Sequence, residues 1–157
     1  TGVVCVWNPF CQVWSVNGHH GTQAVTAAFP HWNARLAPVF DTARRMLEIM
    51  ETMEEALQYM RAQLDELKLE AGKELFSDFA MAAGRLTELL PEFFVEERKE
   101  QLVQVLRDLR DAISGMQDSF AEGELPQMKQ VLAQVLLPAF TAWREEAREL
   151  LLPWAAA

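Results

Sequence analysis

The sequence predicts a mainly α fold: an antiparallel four-helix bundle with a long first helix and a small N-terminal β-hairpin or meander. Three observations point there. Apolar residues recur at steps of three and four through four long segments after residue 35, the spacing of helices with one core-facing stripe. Gly72, Pro91, Gly123 and Pro126 fall between those segments, where helices stop and start. The first 34 residues carry none of the 14 Lys and Arg or 23 Asp and Glu and are rich in strand formers.

The opening stretch TGVVCVWNPFCQVWSVNGHHGTQ holds Val3, Val4, Val6, Val13, Trp14 and Val16 as strand formers, with Asn8-Pro9 as a turn signal and Val16-Asn17-Gly18-His19 as a hairpin cue. Short strands are expected near 2 to 7, 11 to 16 and 19 to 23, followed by a short helical piece near Thr22 to Phe29. An isolated hairpin is marginal in water, so these strands need a cover, and Trp7 and Trp14 are the expected anchors.

The first long helix reads through Leu36, Phe40, Ala43, Leu47, Met50, Met53, Leu57, Met60, Leu64 and Leu67, with Ala71-Gly72-Lys73 as its stop. The second reads through Leu75, Phe76, Phe79, Ala83, Leu86 and Leu90 and is limited by Pro91. Its small middle, Ala80 to Gly84, would admit a close neighbouring backbone. The third passes through Leu102, Val105, Leu106, Leu109, Ile113, Met116 and Phe120 to a stop at Gly123. A fourth starts near Pro126 and runs Met128, Leu132, Val135, Phe140, Trp143, Ala147 and Leu150 to Pro153, with a kink expected at Pro138. Pro38 poses the same question in the first helix. Four such segments with short connections pack as an antiparallel bundle, here one domain over 1 to 157, with the hairpin in 1 to 23 and the bundle in 24 to 153.

The balance of charge, a net −9, disfavours nucleic acid and anionic membrane surfaces as partners. No apolar run reaches the roughly 18 residues of a membrane span, and the N-terminus lacks a secretory pattern, so a cytoplasmic address is expected. Thr1, in place of an initiator Met, reads as a processed end or an artificial boundary.

Chemistry-bearing residues are few. Cys5 and Cys11 are the only cysteines. With Pro9-Phe10 as a two-residue turn, Trp7 faces Gln12 and the thiols project from opposite faces. With residues 6 to 10 as a loop, Cys5 faces Cys11 and a disulfide is possible. Two reduced thiols acting as small hydrophobes is the simplest reading. Cys5, Cys11, His19 and His20 hold the right atoms for zinc at an unusual spacing. No nucleophile elbow, phosphate loop or metalloprotease pattern occurs, and no cofactor is expected. The absence of histidine after His31 removes a di-iron bundle site. Glu54 with Glu55 and Glu96 with Glu97 read as solvated helix faces. Met46, Met50, Met53 and Met60 share one side of the first helix and can either fill the core or form an adaptable groove for a partner helix. Asn8-Pro9-Phe10 resembles the short ligand of EH domains and also reads as a turn.

Val16-Asn17-Gly18 leading to Ala28-Phe29-Pro30-His31-Trp32-Asn33, together with Leu136-Leu137-Pro138-Ala139-Phe140-Thr141-Ala142-Trp143, resembles an uncharacterised family of small bacterial helical proteins. In that family a hairpin precedes a bundle, and the last helix carries an apolar-Pro-x-x-x-x-Trp element. Gln134-Val135-Leu136 stand where acidic and Tyr residues are usual. The resemblance implies the fold and no activity. The expected function is a non-enzymatic interaction module, a homodimer, adaptor or export-chaperone-like bundle. Its partner, protein or a second copy, would bind through Trp7, Phe10, Trp14 and the Met face. The alternative is a small-molecule or zinc-binding bundle with a sensing or enzymatic role, centred on the N-terminal Cys and His residues.

Overall fold

A computed structural model describes residues 5–8, 13–16 and 30–156, with side chains described from residue 38 onward. The chain divides into two compact units, Thr1–Thr42 and Ala43–Ala157. Each is described by itself.

In the first unit two four-residue strands, β1 (Cys5–Asn8) and β2 (Val13–Val16), pair antiparallel with Cys5 opposite Val16 and Trp7 opposite Trp14. Neither register derived from the sequence matches this pairing. Asn8 faces Val13 across the connection, so Trp7 does not face Gln12, and Cys5 faces a valine rather than Cys11. The expected third strand, the turn at Asn17-Gly18 and the short helical piece before Pro30 lie outside the described residues.

Helix α1 (Pro30–Asp65) begins on a proline, whose missing N–H is no loss in a first turn, and carries Pro38 within its span without ending there. Its stripe over the second unit is Ala43, Met46, Met50, Met53, Leu57, Met60 and Leu64, all buried, in alternating steps of three and four. That period of 3.5 is the seam of a left-handed bundle. The helix stops at Asp65, not at Gly72. Leu67 adopts a left-handed φ of 65°, its N–H bonding Leu64 O at 3.1 Å while Lys68 N–H bonds Gln63 O at 2.8 Å. These two bonds form a Schellman closure with leucine in the position glycine usually takes. Leu67 has an exposed side chain, so the sequence pattern that extended the core stripe to it fails there.

Helix α2 (Leu69–Leu89) follows at once and buries Gly72, Phe76, Phe79, Ala83 and Leu86. Gly72 lies inside it because a Cβ there would stand 3.1 Å from Leu64 Cδ2, so its role is close packing against α1. Gly84, expected at a close approach, is exposed, and a Cβ added there would have nothing within 4 Å. Pro91 ends the helix as expected, and a 3-10 turn over Leu90–Phe93 continues the stripe through Leu90 and Phe93.

After a second 3-10 turn, Glu96–Arg98, helix α3 (Lys99–Glu122) buries Leu102, Leu109, Ala112, Met116 and Ser119. The one polar member, Ser119, donates to Gly115 O at 3.0 Å. Gly123, with φ 75°, closes α3 at the expected stop.

The fourth rod has three parts: α4 (Leu125–Val131), a π-helical stretch Leu132–Leu136, and α5 (Leu137–Ala155). The expected kink at Pro138 takes this form. Leu137 N–H reaches five residues back to Leu132 O, and the wider turn lies directly before the proline that would crowd an α-helical Gln134 carbonyl. Buried Met128, Leu132, Leu136 and Phe140 are spaced by four, four and four, so the stripe contains one residue more than the 3.5 repeat. Hence Leu136 enters the core, while Val135, assigned to it from periodicity, is 45% exposed.

The rods alternate in direction. Lys129 to Asp65, Arg144 to Glu54 and Arg44 Nε to Ala155 O tie α1 antiparallel to the fourth rod. Phe76 meets Phe120 at 5.5 Å between α2 and α3, and Arg98 meets Glu149 where α3 lies beside the end of α5. Phe79 packs edge-on to Phe140 at 5.4 Å, filling the centre. The described residues are thus mainly helical and bundled through four rods.

Candidate functional site

The Met face is the first sequence-derived site to be settled. Met46, Met50, Met53 and Met60 are each at most 2% exposed, because the 3.5-residue repeat directs them into the seam between helices. They fill the core and are closed to a partner helix, which corrects their assignment to partner binding. Of the aromatic anchors, Trp7 and Trp14 stand opposite each other in the strand pair, and Phe10 lies outside the described residues. Of the zinc set, Cys11, His19 and His20 lie outside the described residues. Among the described residues no group of three metal-ligating side chains converges.

The carboxylate pairs are separated in use. Glu54 bonds Arg144 across the seam between α1 and α5, and Arg144 also lies 5.9 Å above the Phe140 ring. Both Glu54 and Glu55 line an open depression on α1 with Glu51, Gln58 and the exposed Tyr59, and of the pair Glu54 is the one bonded to Arg144. Glu96 and Glu97 are exposed in the second 3-10 turn.

That turn ends on Arg98, which no sequence pattern singles out. Its guanidinium meets Glu149 and stands 3.7 Å from Glu146 Oε2. The hydrogen bond to Glu149, then the charge of that carboxylate, hold the Arg98 pKa above the ordinary arginine value. A group whose pKa is raised on folding stabilises fully below its unfolded value and loses that only as pH rises through the folded one. The arginine therefore contributes no pH dependence in the neutral range.

A further feature is a cleft. The end of α2, the Leu90–Phe93 turn and the first turns of α3 leave a cleft of about 170 Å³ above Trp143. Leu90 and Leu102 form buried walls, Phe94 and Leu106 flank them, and Val103 is exposed at the rim with Arg110. Trp143 is fully buried, and its indole N–H has no acceptor. Periodicity could not show this cleft, but Phe93-Phe94 in a connection was a signal, because two large apolar residues exceed what a solvated loop needs.

Fold and site together define an up-down-up-down helical bundle with a small apolar cleft between its helices. The chain belongs to the family described as Domain of unknown function (DUF8042), whose model matches residues 41–146. That match takes in the first three rods from the start of the second unit and the Pro138 to Trp143 element. The chain is also 31% identical over 137 residues to "Uncharacterized protein 094L" of Invertebrate iridescent virus 3, covering 86% of this chain. It spans about 15% of the length of that relative. No solved structure matches. Membership of an uncharacterised helical family is therefore established, whereas the bacterial source implied by the resemblance is not shown by these matches. No helix among the described residues is long and apolar enough to cross a membrane.

Proposed function

We propose that the chain is a non-enzymatic protein–protein interaction module. The bundle is its rigid support, and the uncharged N-terminal segment, with Trp7, Phe10 and Trp14, is its recruiting surface. The observation that carries this reading is an asymmetry: residues 1–34 hold no charge, while the four helical rods already bury complementary stripes against one another. An uncharged segment rich in strand formers is suited to being covered by a second copy or another protein. Similarity to one short part of a much longer viral protein is in keeping with a module built into larger assemblies. A cytoplasmic setting goes with this reading.

Light scattering on the full chain against a Trp7→Ser/Trp14→Ser variant tests it. The expected result is concentration-dependent association of the parent chain, or a stoichiometric partner retained by it, lost in the variant with helical content unchanged. A parent chain that stays monomeric at every concentration and retains nothing that the variant loses would overturn the reading.

A further inference from the structure

We propose that the cleft above Trp143 binds small monocarboxylates with a body the size of one aromatic ring. Three properties of the cleft select that class. Its volume of about 170 Å³ is close to that of an engineered apolar cavity, roughly 150 Å³, that takes up benzene. Its walls, from Leu90, Pro91, Phe94, Leu102 and Leu106, are hydrocarbon, and the hydroxyl of Thr87 beside them is engaged with Ala83 O at 2.7 Å, so the body that enters must be apolar. Trp143, fully buried, lies beneath these walls, so its indole ring reports on what enters. One charged group then stands at the rim. Arg110, at the rim, makes no ion pair among the described residues and offers its planar fork to a carboxylate.

The charge of the whole chain narrows the class further. With a net charge of −9 the surrounding potential opposes anions, so a single carboxylate that meets Arg110 is accepted better than a dianion. The cleft is built from residues of the second unit alone, and this inference stands independently of the recruiting surface proposed above.

The test follows the indole N–H signals of the full chain by ¹H–¹⁵N NMR during titration with 4-hydroxybenzoate, with p-cresol as the uncharged control. The Trp143 signal is identified with Trp143→Phe, or by elimination with Phe variants of the other four tryptophans if that variant fails to fold. A saturable shift of the Trp143 signal at millimolar ligand is expected. Arg110→Gln, at an exposed position, should weaken it roughly tenfold, the order expected for one charge-assisted hydrogen bond. Val103→Trp, at the rim, should abolish it by filling the entrance. A Trp143 signal that does not move saturably overturns the proposal, as does equal affinity for p-cresol or an affinity unchanged by Arg110→Gln.

Discussion

Replacing glycine by alanine at three helical positions should give three different results. Gly84, in α2, and Gly115, in α3, have nothing within 4 Å of where a Cβ would sit. An added methyl there removes the helix cost of glycine, about 0.8–1 kcal/mol per site, without a new contact. For a chain of 157 residues that corresponds to a rise in Tm of roughly 2–4 °C each. At Gly72 the same methyl would lie 3.1 Å from Leu64 Cδ2 and 3.5 Å from Leu64 Cγ, and Leu64 is itself fully buried. Overpacking of a tight core costs about 1–3 kcal/mol, which cancels or exceeds the propensity gain. Thermal and urea unfolding of Gly72→Ala, Gly84→Ala and Gly115→Ala should therefore rank Gly72→Ala last by at least about 1 kcal/mol. Equal stabilisation at all three sites, or a loss at Gly84, would refute the assignment of Gly72 to the α1–α2 contact and of Gly84 to the surface.

The π-helical stretch makes a comparable distinction between neighbours. Leu136→Ala, at a fully buried site, should cost about 2–5 kcal/mol in urea unfolding, and Val135→Ala less than about 1 kcal/mol. Deletion of exposed Gln134 should leave a cooperative melt, because it restores the 3.5-residue repeat. Deletion of exposed Met81 from the uninterrupted stripe of α2 should unfold the chain. A double-mutant cycle on Glu54→Gln and Arg144→Met should give a coupling of about 0.5–1 kcal/mol that falls with added salt, as both side chains are partly exposed.

Much of this architecture was legible in the sequence because it rests on periodicity. The stripes of α1 and α2, the stop at Gly123 and the limit at Pro91 follow from spacing and from the backbone needs of Gly and Pro, while in α3 the spacing finds Leu102, Leu109 and Met116, leaves Val105, Leu106, Ile113 and Phe120 half-buried, and misses Ala112 and Ser119. The failures share a cause: a position that looked like punctuation was decided by three-dimensional contact. Gly72 has the pattern of a helix stop, but Leu67 supplies the left-handed residue and Gly72 the close approach. Val135 has the pattern of a core residue, but the wider turn before Pro138 moves Leu136 into its place. The Met stripe was ambiguous in one dimension, since a flexible side chain suits a groove as well as a core. The cleft was hidden for a different reason, because it is formed by residues from three helices and a turn that no single period connects. The N-terminal register turned on a connection length that Asn8-Pro9 alone does not set.

Methionine oxidation tests the closed core most directly, because it reads burial at all seven methionines of the chain in one experiment. Brief peroxide treatment of the native chain followed by peptide mass spectrometry should oxidise Met81, which is 65% exposed. Met46, Met50, Met53, Met60, Met116 and Met128, each at most 2% exposed, should be protected until the chain is unfolded in denaturant. Oxidation of Met46, Met50, Met53 and Met60 at the rate of Met81 would contradict the account, for it would place the stripe on an open groove rather than in the seam of the bundle.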